Sequence, residues 1–140
     1  MPTATTTDKP TTTNAHLSPR RVAIAALVAV VVNLAVYAIG DVAGATWEAN
    51  GQEVAWFMVI SATLIPFAIG GLLTWALARN WAPATRWMAW IGLAFAVVSL
   101  PMPFVASSDM ATSVTLASMH VLAGIAWFVA VFPRAGSTVD

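Results

Sequence analysis

Four stretches of this chain, 22–39, 54–77, 87–104 and 111–132, contain no Asp, Glu, Lys or Arg, and each is between 18 and 24 residues long. The hydrocarbon core of a bilayer is about 30 Å thick and is crossed by about 20 apolar helical residues. In lipid, every backbone N–H and C=O must find its partner within the protein, and an isolated apolar segment satisfies that only as a helix. The runs therefore predict an all-α fold, an integral-membrane bundle of four transmembrane helices at those positions. Composition agrees, since only 9% of residues are charged against about 25% in a soluble domain. Such a chain cannot cover a water-facing surface with charge.

The segments between and beyond the runs are polar and short. Residues 1–19, "MPTATTTDKPTTTNAHLSP", are rich in Thr and Pro with almost no large apolar group. Such a composition buries too little surface to offset ordering entropy, so a disordered tail is expected, with His16 solvated. The transmembrane domain then spans 20–134, and 135–140 forms a second short tail. The first apolar run exceeds the usual signal-peptide core of about 7–15 residues. It is read as an uncleaved helix, although Ala43, Gly44 and Ala45 resemble a cleavage site. In the 41–53 connector, Gly44, Asn50 and Gly51 act as breakers. Pro66 interrupts the second run, Pro101 and Pro103 disturb the end of the third, and Pro133 stops the fourth.

Charge is sorted by position. Lys9, Arg20, Arg21, Arg79, Arg86 and Arg134 all fall in the two tails or the 78–86 turn, whereas Asp41, Glu48, Glu53 and Asp109 occupy the other two connectors. Cytoplasmic loops are enriched in Lys and Arg. Four spans with both termini in the cytoplasm place every base on one side. Tryptophan fits the same frame: Trp47 and Trp56 near the outer surface, Trp75, Trp81, Trp87 and Trp90 near the inner one, all expected as interfacial anchors. Trp127 lies about a turn and a half from the inner end of the fourth helix.

Placing polar groups by depth at about 1.5 Å per residue sets His120 and Asn33 at one level in the outer half. Thr63, Ser61 and Ser99 are in the same half. Helical spacing predicts small-residue seams: Ser113, Ala117, His120 and Gly124 on the fourth helix, and Ala29, Asn33 and Tyr37 on the first. Gly92, Ala96 and Ser99 share a face of the third, and Ala62, Pro66, Gly70 and Thr74 one of the second. Small residues let membrane helices approach, and polar groups hydrogen-bond across the seam. His120, Asn33, Ser99, Thr63 and Ser61 are therefore the candidate intramembrane polar layer. A bound imidazole there pairs with Asn33, Ser99 or a backbone carbonyl. It also qualifies as a proton or ligand contact, because ionisable groups at that depth are functional candidates.

The sequence also closes off whole classes of chemistry. With no cysteine, disulfides, thiolate catalysis and iron–sulfur ligation are excluded. One intramembrane histidine without a carboxylate cannot complete a metal or haem site alone, and symmetric pairing across a dimer would be needed, so no cofactor is expected. The acidic connectors read as a solvated face, with a weak cation site at Asp41, Glu48, Glu53 and Asp109 as the sharper alternative. There is no catalytic constellation and no basic–aromatic patch for nucleic acid. The function expected is non-enzymatic: an accessory subunit or small sensor acting by association with a membrane-protein partner or as a homo-oligomer. The alternative is a small transporter or channel-like oligomer using a polar cleft around His120 and Asn33.

Two motifs carry a resemblance. "SLPMPF" (99–104) ends the third helix, and "LASMHVLAGIAWF" (116–128) sets a Met-His pair in the fourth. With the four-span layout and the arginine-bearing central turn, the chain over about 20–134 resembles an uncharacterised actinobacterial family of small four-span membrane proteins, a domain of unknown function. The resemblance implies the fold and a bacterial inner-membrane setting, with Ser99, Pro103, Met119 and His120 in the pattern. It implies no activity, cofactor or catalytic residue.

Overall fold

A computed structural model describes residues 17–134. Of the expected tails at 1–19 and 135–140, residues 1–16, with His16, and 135–140 lie outside the described residues, while Ser18 and Pro19 belong to the cap and first turn of the first helix. The elements are α1 (Pro19–Val42), β1 (Glu48–Ala49), β2 (Gln52–Glu53), α2 (Trp56–Ala78), α3 (Ala84–Val98), α4 (Pro101–Ala106) and α5 (Met110–Val131). Pro19–Val42, Trp56–Ala78, Ala84–Ala106 and Met110–Val131 are each long and apolar enough to cross a membrane, and only 17% to 33% of each is buried inside the chain. A helix that is apolar all round and mostly uncovered needs lipid for its outer face. The chain is an all-helical membrane protein.

Local chemistry explains the ends of the helices. Ser18 caps α1 by accepting from the Arg21 amide, and Pro19 fits the first turn, where its missing N–H costs nothing. Asp109 caps α5 by accepting from the Thr112 amide at 2.7 Å. The far end of α5 is closed from another helix: the Arg21 guanidinium donates to the carbonyls of Val129 and Phe132. Those carbonyls have no partner within their own helix, and a cation suits the negative end of the helix dipole. The third expected helix is broken. Pro101 cannot donate to the α3 ladder, so α3 stops at Val98 and a separate turn, α4, completes the span.

Contacts between helices show that neighbours in sequence run antiparallel. Asn33 of α1 meets Thr63 of α2, Arg21 meets the end of α5, and Gly124 of α5 meets Ala96 of α3. The helices follow the cyclic order α1, α2, α3, α5, with α2 diagonal to α5. Arg20, Arg21, Arg79, Arg86 and Arg134 therefore gather at one end of the bundle, and Asp41, Glu48, Glu53 and Asp109 at the other.

The core has two apolar clusters. At the basic end Val22, Ala26, Ala29, Phe67, Ala89, Trp127, Ala130 and Val131 pack together. Trp127 is buried, stands edge-on to Phe67 at 5.6 Å and donates its Nε1–H to the Met88 carbonyl at 2.9 Å. Gly70 and Gly92 make room for its ring. A Cβ at Gly70 would lie 2.7 Å from the indole, and one at Gly92 would collide with Nε1. At the acidic end Trp47, Val59 and Met119 form the second cluster.

Trp47 corrects the expectation that it is an interfacial anchor, and it joins Trp127 in the core. Both are less than one-tenth exposed, whereas Trp56, Trp75, Trp81, Trp87 and Trp90 are 45% or more exposed. The connector delivers Trp47. Asn50 and Gly51 both take positive φ, 54° and 71°, as a two-residue type I′ hairpin requires. The hairpin is tied to α4 by the Asn50 amide on the Ala106 carbonyl. Trp47, itself at φ 55°, turns inward, stacks on Tyr37 at 3.9 Å and donates its amide to Thr112 Oγ1.

Candidate functional site

The spans bring polar side chains together between the two clusters. Asn33, about four turns into α1 on its buried face, is 2% exposed. Its Nδ2 donates to Thr63 Oγ1 at 3.0 Å, and the Thr63 hydroxyl donates in turn to the Val59 carbonyl at 2.8 Å. Asn33 Oδ1 is buried and has no hydrogen-bond partner. A buried acceptor left unpaired costs about 1–3 kcal/mol; Trp47 Nε1, Thr85 Oγ1 and Ser107 Oγ are also buried without a partner, but of the four only Asn33 belongs to a residue that lines the same cleft as Thr63 and His120.

His120 is half-buried on α5. Its Nδ1 lies 2.7 Å from the Leu116 carbonyl of the preceding turn. A carbonyl only accepts, so Nδ1 carries the proton and donates. In the neutral ring Nε2 is then left with a lone pair. The bond anchors the imidazole to its own helix, not to Asn33 or Ser99.

Asn33, Thr63 and His120 line one cleft of about 170 Å³ with Val54, Met58, Val59, Ala62, Leu116, Met119 and Ala123. No residue of α3 or α4 is among them. Val59 and Met119 also belong to the Trp47 cluster, so that cluster forms the wall at the acidic end. Toward the basic end the core is apolar around Phe67 and Trp127. Both Asn33 and Thr63 lie on the acidic side of their helix midpoints, by about 4 Å and about 6 Å, with His120 close to the midpoint of α5. With the imidazole neutral, His120 Nε2 and Asn33 Oδ1 offer acceptors, and the Thr63 donor is already in use. The cleft suits a small molecule that brings hydrogen-bond donors, with room for a handful of water-sized groups.

Two members of the expected layer lie elsewhere. Ser61 is exposed and folds its hydroxyl back onto the Phe57 and Met58 carbonyls. Ser99 bonds the Ala96 carbonyl within its own helix. Neither lines the cleft. The expected α2 face holds at Gly70 and Thr74 but is off by one position nearer Asn33: Ala62 and Pro66 are exposed, and Val59, Thr63 and Phe67 are buried. Moving one residue along a helix turns the face by about 100°, which takes Ser61 away from Asn33. On the other helices the seams hold, with Ala29, Asn33, Ala96, Ser113, Ala117 and Gly124 all buried. Sequence reasoning missed Met119 and Leu116 as cleft walls. The i, i+4 spacing from Leu116 to His120 was the available signal.

Among the described residues no group of three or more His, Asp or Glu is placed to hold a metal ion. Asp109 is committed to Thr112 and Thr46, which hold its carboxyl at about 2, below the ordinary value of 3.8, with the Thr112 side-chain bond the larger cause.

Residues 13–137 match a family described as a family of unknown function, DUF6069. The chain belongs to that family. The match covers the whole described bundle, including both motifs on which the resemblance rests. Within the family's span, Pro103 is buried and its carbonyl accepts from Ser113 Oγ, while Met119 and His120 both line the cleft. No curated protein and no solved structure matches the chain.

Proposed function

We propose that this family member is a non-enzymatic small sensor or accessory subunit that acts by association within the membrane. In this reading the Asn33–Thr63–His120 cleft recognises a small hydrogen-bond donor. The observation that carries the proposal is the unpaired, buried Oδ1 of Asn33 beside a cleft that also contains an oriented imidazole. A buried polar group without a partner needs an explanation, and a donor ligand would supply it. The apolar plug of Phe67 and Trp127 toward the basic end weighs against a polar path through one copy. It favours binding and release over transport.

The setting proposed is the plasma membrane of an actinobacterium, with both termini cytoplasmic. Its support is the gathering of the described arginines at one end and the acids at the other, as the positive-inside rule describes.

The test is a thermal-shift titration of the full chain in nanodiscs with matched pairs: small alcohols and phenol against the corresponding methyl ethers. A ligand that binds only the folded protein raises Tm in proportion to its affinity. Alcohol-selective stabilisation that disappears in Asn33→Leu supports the reading. Equal effects from the ethers, or none from any donor, would refute it. Association is tested by crosslinking in the native membrane, where recovery of the monomer alone counts against an accessory role.

A further inference from the structure

A second groove, separate from the polar cleft, runs between α1 and α5 on the basic half of the bundle. It has a volume of about 400 Å³ and is walled by Ile24, Ala25, Val28, Val32, Ile125 and Val129 among others, with Arg21 and Arg134 also lining it. Its α1 wall extends from Arg21 to Val32, about 16 Å at 1.5 Å per residue. That is close to half of the roughly 30 Å hydrocarbon core. The groove therefore begins at two guanidinium groups and ends near mid-membrane, the depth of one leaflet.

Among the described residues the two cations have no counter-charge. Every described carboxylate lies at the opposite end of the helices: Asp41 is 20 residues along α1 from Arg21, about 30 Å away. Arg21 uses Nη2 on the Val129 and Phe132 carbonyls. Among the described residues its Nε and Nη1 have no hydrogen-bond partner. A guanidinium has five N–H donors in a fork that matches phosphate oxygens. Basic pockets between helices at the cytoplasmic surface are suited to anionic lipid headgroups.

A larger groove between α1 and α2, about 500 Å³, offers a contrast. It reaches the same end of the bundle, but its lining, from Leu17 and Pro19 to Phe67 and Trp75, contains no charged residue. Charge therefore distinguishes the α1–α5 groove from its neighbour.

We infer that the α1–α5 groove is a binding site for an anionic phospholipid, its phosphate held by Arg21 and Arg134 and one acyl chain laid along Ala25, Val28, Ile125 and Val129. The site commits to a lipid, since its apolar length matches one leaflet, which a free phosphate would leave uncovered.

The experiment is native mass spectrometry of the full chain released from nanodiscs of phosphatidylcholine and phosphatidylglycerol with identical acyl chains. The wild type retains one phosphatidylglycerol in preference to phosphatidylcholine. Arg134→Gln, which leaves the Arg21 cap on α5 intact, lowers that preference roughly fivefold, the equivalent of one surface arginine. Val28→Trp fills the groove and removes the bound lipid while both arginines remain. Equal retention of the two lipids would overturn the site, as would an unchanged preference in Arg134→Gln. Displacement by millimolar inorganic phosphate would show an anion site without lipid recognition. A protein dimer replacing the lipid adduct would assign the groove to a second copy. Either result overturns the proposal.

Discussion

Replacing Asn33 with leucine sets two opposing contributions against each other. The change removes the bond from Asn33 Nδ2 to Thr63 Oγ1. Interhelical hydrogen bonds in membranes contribute about 0.6 kcal/mol on average and at most about 1.7 kcal/mol. Thr63 is not orphaned by the loss, because its own hydroxyl still donates to the Val59 carbonyl. The change also removes the buried, unpaired Oδ1, whose burial costs about 1–3 kcal/mol. Leucine shares asparagine's branched skeleton, is bulkier, and offers two methyls to an apolar seam. The balance is a stabilisation of about 1 kcal/mol in the empty protein. Thr63→Val should do the reverse: it strands Nδ2 as well as Oδ1 and destabilises by about 1–3 kcal/mol. In the double variant the Thr63→Val penalty should vanish, which a double-mutant cycle measures directly. Reversible unfolding in bicelles, followed by circular dichroism, gives all four stabilities. A loss of 2 kcal/mol or more in Asn33→Leu alone would refute the reasoning, since it would mean Oδ1 has a strong partner in the empty protein. A stable but non-binding Asn33→Leu is the signature of a polar group retained for recognition at some cost in stability.

The other predictions concern packing, pH and topology. Gly92→Ala drives a methyl into the Trp127 indole, which is fixed by its bond to Met88 and by Phe67; a loss of about 1–3 kcal/mol is expected, read from the same unfolding assay, while Gly44→Ala meets no neighbour and tests only its positive φ. Asp109 has a folded pKa below its unfolded one, so its contribution to stability is present above pH 3.8 and is lost as the pH falls towards about 2; unfolding curves across that window should flatten in Asp109→Ala, and an unaltered profile would count against the cap. Because the chain has no cysteine, single Ser18→Cys and Glu48→Cys variants report topology cleanly: an impermeant maleimide applied to whole cells should label only the second.

Much of this molecule was open to reading from local information. Span number follows from run length, because a backbone in lipid has only the helix as a solution. The separation of Arg79 and Arg86 from Asp41 and Asp109 follows from counting spans. The break after Val98 was visible in "PMP", since a proline without an N–H ends a ladder wherever it stands. Asn50-Gly51 carries its own turn conformation, although nothing in those residues says what the turn delivers.

Tertiary structure decided which polar groups meet. Depth along each helix placed His120, Asn33, Thr63, Ser61 and Ser99 together, and that coordinate is one-dimensional. The azimuth of α2 depends on packing, and when every face is apolar the sequence pattern barely constrains rotation; a single step sent Ser61 to the lipid and brought Thr63 to Asn33. Trp47 illustrates the same division. Its position in a polar connector marks it as an interfacial ring, but a hairpin tied to α4 and the stack on Tyr37 place it in the core. The sequence by itself determined the number of helices, the sorting of charge and the presence of a polar level, because these depend on length and local backbone chemistry. Only the fold decided that Asn33 keeps one acceptor unpaired beside the cleft it shares with His120, because that depends on side chains from three helices meeting at one angle.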